Sequence, residues 1–528
     1  MFVLYKNQND SNSRLNDATQ DNNNISEDAI IEIQKNFSII YQTNPEFLDQ
    51  RTIQFFESID KCYIDNENIR DSLPKILPYE LYGKLISFFA IKRSYTFEEN
   101  DQIKTFTSEN KQYEIEIERE KSFNFFEIIF HRKIDIYDEI HRIVSSVIVA
   151  LTSGYSECLF ELQKFNLLNI VVKQIDENPY PLSTNNLIQI INNFLGDENE
   201  KISELAHSFF PMDHLLKILE YIKSCYSDHL DNQKVKELYK IATTKSLKSF
   251  FVSIYKYPRD ITTVQAIIIL FELSGYFNLI HEDSDLAISL CAAIMKLFDN
   301  NLIHYSDFDK LGFPAFLSSL SCLADVKVKT NAFTVIGKLI SASHYNISFN
   351  FSQYFNEIKH SNPNTDPGLL ESAIFTCNSF FANSKPDYPK SAYEEINSNI
   401  NILFEIYEHS NYNIKKDIIE LFSSYLNYMS HIQIQDLPQF DSALFPIYNL
   451  FFRFIEVSDD QDKFNALKYL YEFVEYIYFK CQNKTNQIIQ FTSYFLNQVN
   501  DLVDSDDDTL SRLAKDIIQQ FKNEQDKL

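Results

Sequence analysis

Residues 328–340 read VKTNAFTVIGKLI, and this stretch decides how the chain folds. Its apolar residues fall at i, i+4, i+7, i+8 and i+11 counted from Val328, which is the spacing of one face of an α-helix. The apolar face is wide, as expected of a helix that contacts neighbours on two sides. A small residue, Ala332, lies near its middle, and we expect it to be buried where a neighbouring helix approaches closely.

Four similar blocks follow along the chain. They centre on Ala373, Ile418, Ala466 and Ala514, and the successive separations from Ala332 onward are 41, 45, 48 and 48 residues. A period of about 40–47 residues is typical of HEAT and armadillo helical repeats, whose units bury their apolar faces only against neighbouring units. The spacing therefore predicts an all-α chain built as a right-handed α-solenoid of antiparallel helices.

The amino-acid composition agrees with a helical chain. Hydrophobic residues make up 45% of the sequence, enough to bury a core, and only 7 of the 528 residues are glycine. Tight turns between strands and phosphate-binding loops both depend on glycine, whereas helices do not. No two glycines are closer than 25 residues, so the sequence excludes the P-loop and the G-x-G-x-x-G fingerprint.

The charge balance bears on partners and compartment. With 48 Lys and Arg against 74 Asp and Glu, the net charge is −26, which argues against nucleic-acid binding and against anionic membranes. The seven cysteines are isolated from one another, as in a reducing compartment without disulfides. No apolar run approaches the roughly 18 residues of a transmembrane helix. We therefore expect a cytoplasmic monomer with access to the nucleus and with protein partners.

The ends of the helical pattern suggest the domain organisation. Residues 7–28 are polar and nearly free of large apolar groups, so we expect residues 1–28 to form a disordered tail. Helical pattern interrupted only by short polar breaks follows. The sequence therefore predicts one solenoid domain over residues 29–528.

One stretch, residues 98–122, departs from the helical pattern. Within it Tyr113, Ile115 and Ile117 alternate with glutamates, a period of two that favours a half-exposed strand. We expect a small β-hairpin insertion near residues 103–118. The alternative is one more exposed, acidic helix.

A family resemblance rests on residues 310–340, KLGFPAFLSSLSCLADVKVKTNAFTVIGKLI. This segment resembles the second and third helices of an armadillo repeat, and weaker likeness extends over residues 130–525. Importin-α-like members of that superfamily bind basic peptides through ladders of Trp and Asn. Asn192 and Asn193 are similar to such a position, but the chain has no Trp and no later block repeats the pair. The resemblance therefore implies partner binding without naming the partner.

One basic island opposes the global charge. Seven cations against Glu237 alone give a local charge of +6 between residues 234 and 259, and they are Lys234, Lys236, Lys240, Lys245, Lys248, Lys256 and Arg259. These residues form the candidate partner-binding site, for an acidic peptide, a phosphoprotein or a lipid headgroup. The alternative is that they only solvate the faces of a helix.

Residue patterns for metals and cofactors are missing from the sequence. The acidic run at residues 504–508 begins like a calcium loop, but Thr509 and Lys515 stand where an EF-hand needs Gly and Glu. We expect its carboxylates to cap the last helix. Ser284 or Asp285 should likewise cap the helix that follows them. The sequence predicts no metal, no cofactor and no catalytic residue.

Two functions are compatible with these observations. The first is a non-enzymatic scaffold or adaptor that binds partner proteins on the solenoid surface. The alternative is a transport or cytoskeletal-regulatory factor that recognises a folded partner, such as a small GTPase or an actin nucleator. The alternative rests on analogy at the level of the fold.

Overall fold

The structure is a computed structural model. It describes residues 27–43, 50–59, 62–63, 67–90, 136–177, 183–226, 233–342, 351–361, 363, 365–382, 390–431, 440–480, 486–505 and 507–525. Regular structure within these ranges is helical, without a strand. The first described helix begins at Glu27, two residues before the predicted domain start. Residues 1–26 of the predicted tail and the whole predicted hairpin lie outside the described residues.

The helices group into two compact units. The N-terminal unit comprises Met1–Ile269 and Asn278–Leu302, and the C-terminal unit comprises Leu270–Phe277 and Ile303–Leu528. The single domain predicted over residues 29–528 stays a prediction. Each unit is described by itself.

The N-terminal unit holds α1 to α12 and α15, and two helices, α13 and α14, cross the unit boundaries. In chain order these helices are α1 (Glu27–Gln42), α2 (Gln50–Ile59), α3 (Glu67–Arg70), α4 (Leu73–Ile76), α5 (Glu80–Phe89), α6 (Ile136–Thr152), α7 (Ser156–Gln163), α8 (Leu167–Glu177), α9 (Thr184–Gly196), α10 (Glu200–Phe209), α11 (Met212–Tyr226), α12 (Gln233–Lys256), α13 (Thr263–Ser274), α14 (Phe277–His281) and α15 (Ser284–Asp299). A 3-10 turn, Pro258–Asp260, follows α12.

The C-terminal unit contains the remaining helices. Its helices are α16 (Tyr305–Lys310), α17 (Phe313–Leu320), α18 (Val326–Ala342), α19 (Phe351–His360), α20 (Pro367–Ala382), α21 (Lys390–Ser398), α22 (Ile400–His409), α23 (Tyr412–His431), α24 (Phe440–Val457), α25 (Asp460–Glu475), α26 (Asn486–Asp501) and α27 (Asp508–Gln525). A π-helical turn, Tyr476–Lys480, extends α25.

The repeated blocks of the sequence form one ladder of stacked helices. The block residues at positions 332, 373, 418, 466 and 514 lie on α18, α20, α23, α25 and α27, and each of these helices packs on the next. All five residues are buried, including the predicted Ala332, Ala373 and Ala466. The register predicted from the repeat spacing is therefore confirmed.

Small side chains bring the helices of this ladder close together. A Cβ atom added to Gly337 on α18 would lie 2.6 Å from the ring of Phe375 and 3.3 Å from the Cα of Thr376 on α20. Thr376 Oγ1 donates a hydrogen bond to the backbone oxygen of Phe333 at 2.8 Å, and Ser341 reaches Ser379 at 3.0 Å between the hydroxyls. Short hydroxyl side chains can bridge two backbones only where the helices are close.

The N-terminal unit contains a second ladder, in which α6, α9, α12 and α15 pack in succession. Here long amide side chains make the bridges. The Asn186 amide donates to the hydroxyls of Ser145 and Ser146 on α6 at 2.8 and 2.9 Å. On the other side of α9, Asn192 donates to the backbone oxygen of Lys245 on α12 at 3.0 Å.

The last helix of this ladder is capped one residue earlier than predicted. The Asp283 carboxylate accepts a hydrogen bond from the backbone N–H of Leu286 at 3.1 Å, so Asp283 is the N-cap of α15. Ser284 and Asp285, the predicted caps, lie inside the first turn. Asp283 takes this role because its backbone is extended, as an N-cap residue requires, and its side-chain oxygen reaches the third following N–H.

Candidate protein-binding groove

A large cavity lies in the N-terminal unit. It has a volume of about 800 Å³ and is formed by one face each of α9, α12 and α15. We refer to it as the N-terminal groove. Ladder helices of this kind present their faces side by side, so residues about 50 positions apart in sequence become neighbours.

The α9 wall of the groove consists of Gln189, Asn192, Asn193 and Gly196, none of them charged. Both asparagines are held by internal hydrogen bonds. Asn192 donates to α12, as described above, and accepts from the hydroxyl of Ser249. Asn193 donates to Thr152 Oγ1 at 2.8 Å and accepts from the Gln189 amide at 3.0 Å. Asn192 and Asn193, the pair that is similar to an armadillo Asn position, therefore form hydrogen bonds between neighbouring helices.

The floor of the groove is α12, which carries most of the predicted basic island. Lys240, Lys245 and Lys248 line the groove. The Lys240 ammonium lies 2.8 Å from a carboxylate oxygen of Glu282, and that of Lys248 lies 3.8 Å from Asp285. Two of the three lysines are therefore neutralised from the α15 side.

Lys245 differs from the other two lysines. Its ammonium is half-buried beside α9, where it donates to the backbone oxygen of Asn185 at 3.4 Å. Among the described residues, no carboxylate lies within ion-pair distance of it. Burial lowers the pKa of Lys245 below its usual value, and the like charge of Lys248 lowers it further. A cation in such a position is destabilised until a counter-charge arrives.

Apolar side chains complete the groove. Ile241 is 45% exposed, whereas the other large apolar side chains described on α12 are buried or partly buried. Ile288 on α15 and Phe251 on α12 also line the groove and are nearly buried. The groove thus combines a half-buried cation with apolar surface one helical turn away.

The remaining members of the island lie elsewhere. The Lys256 ammonium donates to the backbone oxygen of Asp197 at 2.6 Å and to Ser203 Oγ at 3.1 Å. It thereby joins the end of α12 to the loop after α9 and to α10. Lys236 is exposed outside the lining of the groove, and Arg259 is exposed on the 3-10 turn. Lys234 lies in the first turn of α12.

A smaller cavity of about 260 Å³ occupies the corresponding place in the C-terminal unit, between α20, α23 and α25. We refer to it as the C-terminal groove. Its lining is polar and acidic, with Glu420 and Glu472 beside Asn378. Just beside this lining, burial and the carboxylates of Glu420 and Glu371 raise the pKa of Asp417 to about 7.

The described residues provide little for catalysis. They contain no group of three or more His, Cys, Asp or Glu side chains placed to hold a metal ion. Ser253, His207 and Asp260 are arranged in the order of a hydrolase triad, with contacts of 3.2 and 3.1 Å to the His207 ring nitrogens. Ser253 is fully buried, so its hydroxyl has no access to a substrate.

The cap of α27 and the absence of a membrane-spanning helix were also predicted from the sequence. Asp507 caps α27, accepting hydrogen bonds from the backbone N–H groups of Thr509 and Leu510 at 3.0 Å each, as expected of the acidic run. None of the helices in the described ranges is both long enough and apolar enough to cross a bilayer.

No sequence pattern marks the α15 wall of the groove as part of a site. Ile288 and Asp285 belong to an apolar helix that reads as an ordinary core element. Ile241 was the one available sequence signal for a binding site. It is an apolar residue among the lysines of the island, whereas lysines that only solvate a helix would lie on a wholly polar face.

Comparison with known proteins gives a fold and no family. No family model and no curated protein matches the chain. An engineered protein of known crystal structure aligns over 93% of this chain and 98% of its own, with 10% identity and a TM-score of 0.54. A structure of the cadherin and beta-catenin interaction aligns over 95% and 98% with 11% identity and a TM-score of 0.43. Kap121p bound to Ste12p aligns over 93% and 51% with 12% identity and a TM-score of 0.36.

The fold class follows from the stacked ladders together with the first of these alignments. The chain is an all-α protein with a helical-repeat fold of the armadillo/HEAT type. The prediction made from the repeat spacing is therefore confirmed at the level of the fold. Likeness at this identity concerns the fold alone.

Proposed function

We propose that this protein is a non-enzymatic interaction scaffold, and that the N-terminal groove binds a segment of a partner protein. The observation that carries the proposal is the groove itself. It places about 800 Å³ of open space between three ladder helices, with apolar, amide and cationic groups on its walls. Concave surfaces of stacked repeats commonly bind extended peptides or helices in this way.

The composition of the groove supports a polypeptide ligand. Exposed Ile241 offers apolar surface that a partner side chain would bury, and each square ångström of apolar surface removed from water contributes about 25 cal/mol. Lys240, Lys245 and Lys248 of the predicted island supply polar contacts that would fix orientation. A small number of polar groups in an apolar cleft is the usual composition of a specific binding site.

Selection from a random 12-residue peptide library, displayed on phage and applied to the full chain, tests this proposal. We expect the selected peptides to lose binding to Ser289→Trp, because Ser289 lines the groove and the indole ring would fill it. Ser208→Trp is the matched control. Ser208 is also a helical serine whose hydroxyl bonds to its own helix, but it lies outside the groove.

The proposal is wrong if the selected peptides bind both tryptophan variants as they bind the parent chain. It is also wrong if repeated selection yields no peptide. Thermal melting of both variants checks that the comparison is made between folded proteins.

We place this activity in a reducing compartment, the cytoplasm with access to the nucleus. Among the described residues, Cys62, Cys158, Cys291, Cys322 and Cys377 are free thiols. Recognition of a folded small GTPase or actin nucleator rests on fold analogy alone, and we keep the groove as the single candidate.

A further inference from the structure

We propose that the N-terminal groove selects an acidic–apolar motif. In this motif an Asp or Glu carboxylate of the partner binds the Lys245 ammonium, and an adjacent apolar side chain packs between Ile241 and Ile288. The inference rests on the proposed function, because it names the chemistry of the segment that the groove would bind.

The three lysines of α12 that line the groove differ in whether a carboxylate balances their charge. Lys240 and Lys248 each have a carboxylate from the α15 side, at 2.8 and 3.8 Å. Lys245 lies on the opposite side, next to the uncharged α9 wall, and in the described part of the chain only the Asn185 carbonyl is within hydrogen-bond distance of its ammonium. Of the three lysines in the groove, Lys245 is thus the one whose charge is not already balanced.

The second step concerns the carboxylates of the groove, which limit where a ligand can place negative charge. Asp283 caps α15 and Asp285 faces Lys248. Glu237 lies eight residues before Lys245, about 12 Å along the helix. None of the three neutralises Lys245. Counting Glu282, four carboxylates face the three lysines, so the groove has no net positive charge that would attract a ligand of high negative charge.

The third step separates a protein ligand from other anions. A nucleic acid or an anionic membrane presents many negative charges at once, and a groove without net positive charge on a chain of net charge −26 disfavours both. A single carboxylate on an otherwise apolar segment needs only one counter-charge, which Lys245 supplies. Charge complementarity therefore favours one acidic residue over a polyanion.

The fourth step places the apolar part of the motif. Ile241 precedes Lys245 by one helical turn, so the two side chains lie next to each other on the same face. Ile288 lines the groove across from them on α15. An apolar side chain adjacent to the acidic residue would cover Ile241, which is otherwise left in water.

The test compares Lys245→Met with Lys236→Met in the full chain, using the phage-selected peptides as probes. We expect Asp or Glu next to a large apolar residue in these peptides. We also expect Lys245→Met to weaken their binding about tenfold or more, the usual effect of losing a charge-assisted hydrogen bond in a partly buried site. Lys236, on the same helix but outside the groove, serves as the matched control and should have no effect.

A stability measurement accompanies the binding assay. Lys245→Met removes an unbalanced half-buried charge, so the melting temperature should stay equal or rise while binding falls. A variant that binds weakly because it is unfolded would instead melt at a lower temperature.

Three outcomes overturn the inference, and two of them spare the proposed function. In the first outcome, the peptides fail to bind Ser289→Trp, but they lack acidic residues or bind Lys245→Met normally. The groove is then the binding site, and the acidic–apolar motif is wrong. In the second outcome, the peptides bind only after one of their serines is phosphorylated. The group that binds Lys245 is then a phosphate and not a carboxylate. Peptides insensitive to Ser289→Trp remove both the site and the motif.

Discussion

The two grooves of this protein are built on the same ladder principle but differ in size and charge. The N-terminal groove has a volume of about 800 Å³ and holds three lysines, one of them without a carboxylate partner among the described residues. The C-terminal groove has a volume of about 260 Å³ and a polar, acidic lining. The repeat spacing therefore does not determine what a groove can bind.

The side chains that join successive helices also differ between the two units. In the C-terminal unit, Gly337 and Thr376 let α18 and α20 approach until a Cβ atom would clash. In the N-terminal unit, the longer amide of Asn192 spans from α9 to the backbone of α12.

The largest expected effect concerns the close contacts of the C-terminal ladder. Ala466→Glu places a carboxylate where the structure buries a methyl group, without a partner for the charge. We expect unfolding free energy to fall by on the order of 4 kcal/mol. Chemical denaturation measures the change. Gln461→Glu, an exposed change on the same helix, is the control, and a similar loss in both variants would contradict the burial of Ala466.

The second prediction concerns the acidic residues at the C-terminal groove. Ionised Asp417 is disfavoured by burial and by Glu420 and Glu371, and its pKa rises from 3.8 to about 7. A carboxyl group whose pKa is higher in the folded state destabilises that state as it ionises. Its contribution to stability is therefore lost as pH rises from about 4 to about 7.

Asp417→Asn should remove this loss. We expect the variant to be more stable than the parent at pH 8, by on the order of 2 to 4 kcal/mol, and to equal it near pH 4. Melting temperatures across that pH range measure the effect. If the melting temperatures of the parent and the variant instead change with pH in the same way, ionisation of Asp417 does not destabilise the folded state.

The smallest expected effect concerns helix spacing directly. Gly337→Ala gains helix propensity but forces the Phe375 ring and the α20 backbone to move, so we expect a net loss of about 1 to 2 kcal/mol. Gly368→Ala is the matched control, because its nearest neighbour, Thr330 Cγ2, is 4.0 Å from the added methyl group. Equal stability of the two variants would mean that α18 and α20 are not in close contact.

Much of the C-terminal ladder could be predicted from the sequence. Residues such as Ala332 and Ala466 recur at a period set by the length of one repeat, and the period survives because each repeat packs only on its neighbours. The caps were less predictable. Asp283, Ser284 and Asp285 are all good N-cap residues, and backbone conformation rather than residue type decides among them.

The candidate site could be predicted only in part. The island of lysines was visible along α12, but the partners that distinguish its members come from other helices. Glu282 neutralises Lys240, and the α9 backbone flanks Lys245, at separations of 42 and 60 residues. From the sequence alone, which does not show these distant contacts, the seven cations cannot be distinguished as binding residues.

The central claim is that partners bind in the N-terminal groove, and photo-crosslinking tests it most directly. A phage-selected peptide carrying a benzophenone group is irradiated with the full chain, and the adducts are located by mass spectrometry. We predict adducts on α9, α12 and α15, with Ile241 or Ile288 among the labelled residues. Adducts confined to α20, α23 and α25 would contradict the account, because the C-terminal groove would then be the binding site.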